Sequence, residues 1–482
     1  MKKPLTIARV IPAILVGCLL LLASCTTSKW PQFRGPESNM VVANNNLPDE
    51  WGADKNIRWT CDLSGVGWSS PVVWGNKIFI TSAFGEKVSA QPAQGPPQGP
   101  PPGQGPGGPQ GRPQGSPQGG PPQGMSQPPG PPMGMQEDDK SYLNEIYRWE
   151  VTCIDLKTGK ELWKQVARKG APRHRKQPGN TYASETPVTD GKRVYAYFGM
   201  TGLFCYDLDG NLLWEKDLGA YQTTNGWGTG SSPAVYRDKV FVQVDNDTTS
   251  FIVALDAKNG EEIWKTGRDE KTNFCTPVIW KNSIRTELVA SGKTVRSYDP
   301  ETGKVLWQML LGGEMVIPSP VPQGDLIYIG NNGGRDVKGK LFAVKAGAEG
   351  DITPSEGETS SSGVAWLQPD AGTANPSPLV HDGLIYILAS RGGEIACFDA
   401  STGENVYREK ADSVGACWAS PWINNDKLFF NDEKGTTHVI KAGRQFEPLF
   451  RNKLDDKTWT SVAITKDAYI LKGVKKLYCI GL

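Results

Sequence analysis

Chemistry in this chain must come from few residue types. Only three His are present among 482 residues, so a histidine-rich metal centre is excluded. No HExxH, GxxxxGK[ST], GxSxG or CxxC occurs, which removes the common signatures of zinc proteases, P-loop enzymes, serine hydrolases and dithiol redox proteins. What stands out is a set of large or polar residues beside recurrent Ser/Thr-Pro steps: Trp68, Glu185, Trp227, Phe274, Asn375, Trp418 and Trp459. Aromatic faces among amide and carboxylate groups suit a sugar or the end of a peptide. The same residues would equally serve to plug a channel. Glu185 is the one carboxylate of the set. One carboxylate does not make a site, and neither catalytic nor metal-binding residues are assigned from the sequence.

The elements that position these residues are repeats. Ser/Thr-Pro occurs at Ser70, Thr186, Ser232, Thr276, Ser319, Ser377 and Ser420, with prolines 116, 46, 44, 43, 58 and 43 residues apart. Each is followed by apolar residues, a polar turn and a second apolar strand. A divergent eighth copy starts at Trp459-Thr460-Ser461. A second phrase, Asp-x-x-x-Gly-x-x-x-Trp, closes most units at Asp155-Gly159-Trp163, Asp256-Gly260-Trp264 and Asp299-Gly303-Trp307. A shortened form, Asp207-Gly210-Trp214, and a Tyr form ending at Tyr407 complete the set. Asp bonding its own backbone and Gly at positive φ are the chemistry of a tight hairpin turn. About four short antiparallel strands every 40–46 residues spell an all-β propeller. Seven full copies plus a three-stranded partial one predict eight four-stranded antiparallel blades. The orphan segment 56–60 would supply the missing N-terminal strand and close the ring, leaving no free edge.

The 16 Trp acquire a role here. Trp59, Trp163, Trp214, Trp264, Trp307 and Trp366 are expected at the outer part of the blades, packed against the neighbouring sheet. Cys153, Cys205, Cys397 and Cys479 share one repeat position, held by Ala254 and Ala343 elsewhere. They are expected to be buried thiols, because equivalent positions in different blades are too far apart to bond. Arg285 and Glu287 are expected to form an internal ion pair. The basic run Arg173–Lys176 reads as a solvated loop or a contact for an anionic partner.

Lys2, Lys3 and Arg9, followed by an apolar run from Val10 to Leu22, form a signal-peptide pattern over residues 1–24, too short for a bilayer span. Its end, Leu22-Ala23-Ser24-Cys25, resembles a bacterial lipobox, making Cys25 the expected acylated residue. Cys18 is a weaker candidate. The expected organisation is an extension over 25–56, a propeller over 57–482, and an insertion at 88–140 within blade one. Residues 91–136 hold 13 of the 56 Gly and 16 of the 37 Pro, with almost no charge, a composition that cannot build a core. With 52 basic and 51 acidic residues, the chain lacks the basic excess of a nucleic-acid binder.

The outer turn resembles the repeat of pyrroloquinoline quinone (PQQ) propellers, a superfamily that includes quinoprotein alcohol dehydrogenases and the outer-membrane assembly lipoprotein BamB. Trp30-Pro31-Gln32-Phe33-Arg34-Gly35-Pro36, Gly67–Pro71 and Tyr182–Pro187 look like those of secreted propellers of planctomycetes and related bacteria. The dehydrogenases of the superfamily use adjacent cysteines, PQQ and a Ca²⁺ held by carboxylate and amide oxygens, with an Asp nearby; the resemblance implies Glu185 as one such ligand, with no others assigned. No Cys-Cys pair and no CxxCH haem motif occurs here. The expectation is therefore a monomeric, non-catalytic lipoprotein of the bacterial envelope that needs no cofactor. It would face the periplasm or the cell surface and bind an envelope protein or a glycan. A PQQ- and calcium-dependent alcohol or sugar dehydrogenase is the alternative.

Overall fold

The structure, a computed structural model, describes residues 28–86, 141–333, 339–373 and 375–482. The signal segment, Cys18, Cys25 and the insertion at 88–140 lie outside the described residues. Eight antiparallel sheets follow one another around a channel. Their innermost strands are Val72–Trp74, Val188–Thr189, Ala234–Tyr236, Val278–Lys281, Val321–Gln323, Leu379–His381, Trp422–Asn424 and Ala463–Ile464. The ring closes as the sequence predicts. Ile57–Asp62 becomes the outermost strand of blade eight, with Trp59 opposite Cys479 and Asp62 opposite Lys476.

One cross-strand pair recurs at the same place in seven of the eight blades and explains the cysteine slot; blade seven has Val439 opposite Phe450 there. The small residue of the third strand lies directly opposite the aromatic residue of the fourth. The pairs are Cys153–Trp163, Cys205–Trp214, Ala254–Trp264, Ser297–Trp307, Ala343–Trp366 and Cys397–Tyr407, with Cys479–Trp59 at the closure. Only a short side chain leaves room for an indole across the strand. The seven described cysteines are all free, six of them buried and Cys61 half-buried. Burial pushes the thiols of Cys153 and Cys479 up to about 12.

Five of the expected blade tryptophans reach the next blade. Trp59, Trp163, Trp214, Trp264 and Trp366 donate their indole N–H to Leu156, Leu208, Ala257, Pro300 and Ala400 carbonyls at 3.0–3.2 Å. Their rings cover the turn glycine beyond. At Gly303 (φ +72°) a Cβ would lie 2.5 Å from the Trp264 ring, so both backbone angle and space demand glycine. Trp307 departs from this set. Blade five carries an insertion in place of the turn, and the Trp307 N–H goes instead to Glu287 of its own blade at 2.7 Å. Gly350–Asp351 from that insertion adds a fifth, parallel strand beside Trp307. The expected Arg285–Glu287 ion pair is present at 3.1 Å.

The extension before residue 57 is built into the propeller rather than preceding it. Lys29–Trp30 pairs with the inner strand of blade one, and Val41–Val42 with that of blade seven. Between them Arg34, 1% exposed, donates to the carbonyls of Pro320 and Pro378 in blades five and six, at 3.1 and 3.0 Å. Burial without a carboxylate partner lowers its guanidinium to about 9.

The Ser/Thr of each Ser/Thr-Pro step forms a ring of bonds between blades. The backbone N–H of Ser70 donates to Thr186 Oγ1, Thr186 N–H to Ser232 Oγ, Ser232 N–H to Thr276 Oγ1 and Thr276 N–H to Ser319 Oγ, at 2.9–3.1 Å. The relay continues through Ser377 and Ser420 to Ser461. All these residues are buried. Replacing Ser319 by Ala strands the Thr276 N–H, so denaturant unfolding of Ser319→Ala should show a loss of about 1–3 kcal/mol, with Ser319→Thr close to wild type.

Candidate functional site: an aromatic cup over the channel

The hydroxyl ring marks the neck of a cavity of about 670 Å³ that opens at the end of the molecule where the inner strands begin. Backbone alternation decides what lines it. Side chains two residues before each ring hydroxyl point the same way as the hydroxyl. The residues at these positions are Trp68, Ser184, Gly230, Phe274, Ile317, Asn375, Trp418 and Trp459, and all eight line the cavity, Gly230 through its backbone. Side chains one residue before the ring point the opposite way and are buried, among them Ser69, Ser231, Cys275 and Thr460.

Glu185 belongs to this second register. Of the seven sequence candidates it is the one that does not line the cup. It is 1% exposed, and its Oε1 has no hydrogen-bond partner. Burial raises its carboxyl to about 7 against the lowering effect of Thr229 and neighbouring backbone groups. Trp227 does line the cup although it lies off the register, because it follows a short 3₁₀ turn at Thr224–Gly226. Gln177, Asn180, Met315, Asn332 and Arg391 come from rim loops that carry no repeat pattern, and sequence reading missed them. Ser184, Gly230 and Ile317 were also missed, but the two-residue register would have found them. Phe33 of the extension forms the floor.

Three of the indoles form a ladder across the ring closure. Trp459 of blade eight stacks between Trp68 of blade one, 4.4 Å between ring centres and 20° apart, and Trp418 of blade seven, 5.2 Å and 27°. Trp68 Nε1 donates to Gly179 O at 2.9 Å and Trp418 Nε1 to Glu433 at 3.2 Å. Both faces of Trp459 are therefore covered, leaving Trp68 and Trp418 as the outer rungs. The guanidinium of Arg391 lies 5.8 Å from the Trp418 ring centre. On the basic loop nearby, Arg173 is bound to Asp217 at 2.8 Å and Lys176 sits over Tyr182 at 5.4 Å, so internal contacts account for both.

Arg391 is the one charged side chain among the described residues lining the cup. A bound Ca²⁺ takes six to eight oxygen ligands, carboxylates prominent among them. No Asp or Glu is among the described lining residues, and Glu185 faces away. Nowhere among the described residues do three His, Cys, Asp or Glu converge as around a metal ion. The residues present do not fit a PQQ–calcium centre.

Eight four-stranded blades, their Asp-Gly-Trp outer turns and a funnel over the channel define a PQQ-like propeller. The family model of the outer membrane protein assembly factor BamB matches residues 148–279 and 252–445, together well over half of the chain, and the chain belongs to that family. It is 24% identical over 181 residues to the outer membrane protein assembly factor BamB of Moranella endobia, covering 37% of this chain and 42% of that one. It is 22% identical over 288 residues to the tetrathionate hydrolase of Acidithiobacillus ferrooxidans, covering 55% and 49%. The chain thus spans less than half the length of each of these curated relatives. Among solved structures, BamB from Moraxella catarrhalis superposes with a TM-score of 0.50 at 12% identity, over 69% of this chain and 91% of that one. A europium-containing methanol dehydrogenase superposes with a TM-score of 0.58 at 10% identity, over 93% and 90%. At such identities these likenesses speak for the fold alone. Among the described residues no helix is long and apolar enough to cross a membrane.

Proposed function

We propose that this chain is a non-catalytic binding propeller of the bacterial envelope, tethered through an acylated Cys25, that holds a segment of an envelope protein or a glycan in its cup. The observation that carries this is the lining. Trp68, Trp227, Phe274 and Trp418 offer apolar faces, Gln177, Asn180 and Asn375 offer amides, and the only described charge is a cation. Such a surface recognises neutral or anionic groups by stacking and hydrogen bonding, with no reactive group required. Membership of the BamB family supports a protein-binding role.

The test is a fluorescence titration of the purified protein, whose cup tryptophans report on any aromatic occupant. PQQ with Ca²⁺ should give no saturable change. Stoichiometric PQQ binding accompanied by dye-linked alcohol oxidation would replace this reading with the dehydrogenase one. In parallel, a photo-crosslinking side chain at Trp227 should capture an envelope protein or a glycan that one at Lys258, on the opposite end of the blades, does not. Trp418→Ala should reduce that capture about tenfold with the propeller still folded by far-UV circular dichroism, as loss of a central aromatic contact of roughly 1.4 kcal/mol or more dictates.

A further inference from the structure

The route of the extension fixes which end of the propeller a membrane anchor can hold. Ser28 O accepts the Gly75 N–H at 2.9 Å, and Lys29 pairs with Trp74. Both contacts lie at the turn that leaves the inner strand of blade one, the end of the blades opposite the hydroxyl ring. The Asp-x-x-x-Gly turns lie at this same base, since Asn76 of the first turn of blade one bonds Asp155, and the Ala257 N–H donates to Asp238 O at 2.8 Å. From Ser28 the chain crosses under the channel. Thr189 N–H donates to Pro31 O in blade two, Arg34 holds blades five and six, and Ile423 N–H donates to Met40 O in blade seven. Pro31, Gln32, Pro36 and Glu37 line a separate cavity of about 400 Å³ on the base side, while Phe33 floors the cup above. The extension therefore divides the channel and is fastened by these contacts to blades one, two, five, six and seven.

Resting on the anchoring reading above, we infer that the ring of turns at the base is laid against the lipid surface, and that the cup opens away from the anchoring membrane. Its partner is then presented from the aqueous side and not from within that bilayer. Cys25 and Ser28 are three residue steps apart, at most about 11 Å. A six-residue blade strand such as Lys239–Val244 is already about 20 Å long. The tether is shorter than the blade is tall, so the propeller can tilt but cannot invert without peeling the extension, with buried Arg34, out of five blades. Among the described residues the base carries no free basic patch at these turns to draw it to an anionic bilayer, because exposed Asp209 and Asp238 pair there with Lys77 and Lys239, and Asp382 lies beside His381. The covalent tether alone orients it. The strands Lys77–Glu86 and Ile146–Asp155 that carry the Pro/Gly/Gln-rich insertion are joined at the rim, so that segment too is attached on the side away from the lipid.

The experiment uses the full-length chain, purified from membranes and reconstituted in vesicles with energy-acceptor headgroups. A donor is placed at the base by Lys258→Cys or at the rim by Lys271→Cys, in a Cys61→Ser background, because the other described thiols are buried. Mass spectrometry of the N-terminus accompanies each preparation. The expected result is an acylated Cys25 and at least about twofold more transfer from the base donor, given the ~20 Å blade height and a short-range donor–acceptor pair. Equal transfer, or more from the rim, on a protein with acylated Cys25 would overturn the orientation and leave the anchoring reading intact. An unacylated N-terminus would overturn both. Cys25→Ser protein should not bind anionic vesicles; binding would show that something other than the tether sets the orientation and would equally overturn the inference.

Discussion

A chain ending before Trp459 should accumulate as insoluble protein. The segment removed carries three of the four strands of blade eight, and its apolar side chains are almost wholly enclosed. Ile464, Tyr469, Ile470, Leu471, Leu477 and Ile480 are each at most 4% exposed. Tyr469 packs between Trp51 and Trp422, with ring centres 5.6 and 5.9 Å away, so its loss also exposes blade seven and the extension. At about 1.5–3 kcal/mol per buried large apolar side chain, six of them represent on the order of 10 kcal/mol, comparable to the whole net stability of a domain. Ile57–Asp62 loses its partner strand at the same time and becomes an unpaired edge, a template for aggregation. Lys472, whose Nζ donates to Ser69 Oγ at 2.9 Å and Thr81 O at 2.9 Å, is lost as the polar link between blades eight and one. Fractionation of expressed protein checks this. A soluble, monodisperse truncated chain with the far-UV circular dichroism of the full propeller would show that the ring does not depend on its closure.

The blade count and the closure were legible because they are written in repeated local chemistry. A Ser/Thr before Pro, a turn Asp and Gly, and a Trp opposite a small residue recur at the spacing of one four-stranded blade. The parts that escaped reading have no such repetition. Lys29–Trp30, Val41–Val42 and Gly350–Asp351 are two-residue strands, too short for alternation to register. Arg34 could not be placed from sequence, since its partners are backbone carbonyls of Pro320 and Pro378, nearly 300 and 350 residues away. Trp307 matched its motif yet bonds Glu287, because what its indole meets depends on the next blade, and blade five replaced its turn.

For the cup, the type of residue was legible and the direction of its side chain only partly so. Trp68, Phe274, Asn375, Trp418 and Trp459 lie an even step from the ring hydroxyl and reach the cavity. Glu185 lies an odd step away and cannot. A reading that kept the period of two would have set Glu185 aside as a ligand from the start, and with it the carboxylate that the dehydrogenase alternative needed. The rim loops bearing Arg391, Asn332 and Gln177 differ from blade to blade, so their contribution became visible only once the ring placed them around one mouth.

Glu185 has a different consequence, measurable in stability. Its folded-state carboxyl titrates at about 7 against an ordinary value of 4.5, raised by burial. Between those two pH values the folded protein holds a proton that the unfolded chain has released, so stability falls as pH rises through this window. Above pH 7 the full cost remains, on the order of 3 kcal/mol for a shift of this size. Lys472 acts with the opposite sign at higher pH. Burial lowers it from 10.5 to about 7, so the unfolded chain binds the extra proton and stability rises as pH goes from 7 towards 10.5. The two groups together place a minimum of stability near neutrality. Glu185→Gln keeps the shape and offers its uncharged amide to the same surroundings. It should remove the decline between pH 4.5 and 7 and be more stable than wild type above pH 7 by on the order of 3 kcal/mol, with the rise above 7 unchanged. Denaturant unfolding of both proteins at pH 5, 7 and 9 reads this directly. Parallel curves at all three values would mean that the Glu185 carboxylate is already charged at pH 5 and stabilised by its neighbours, contrary to its orphaned Oε1.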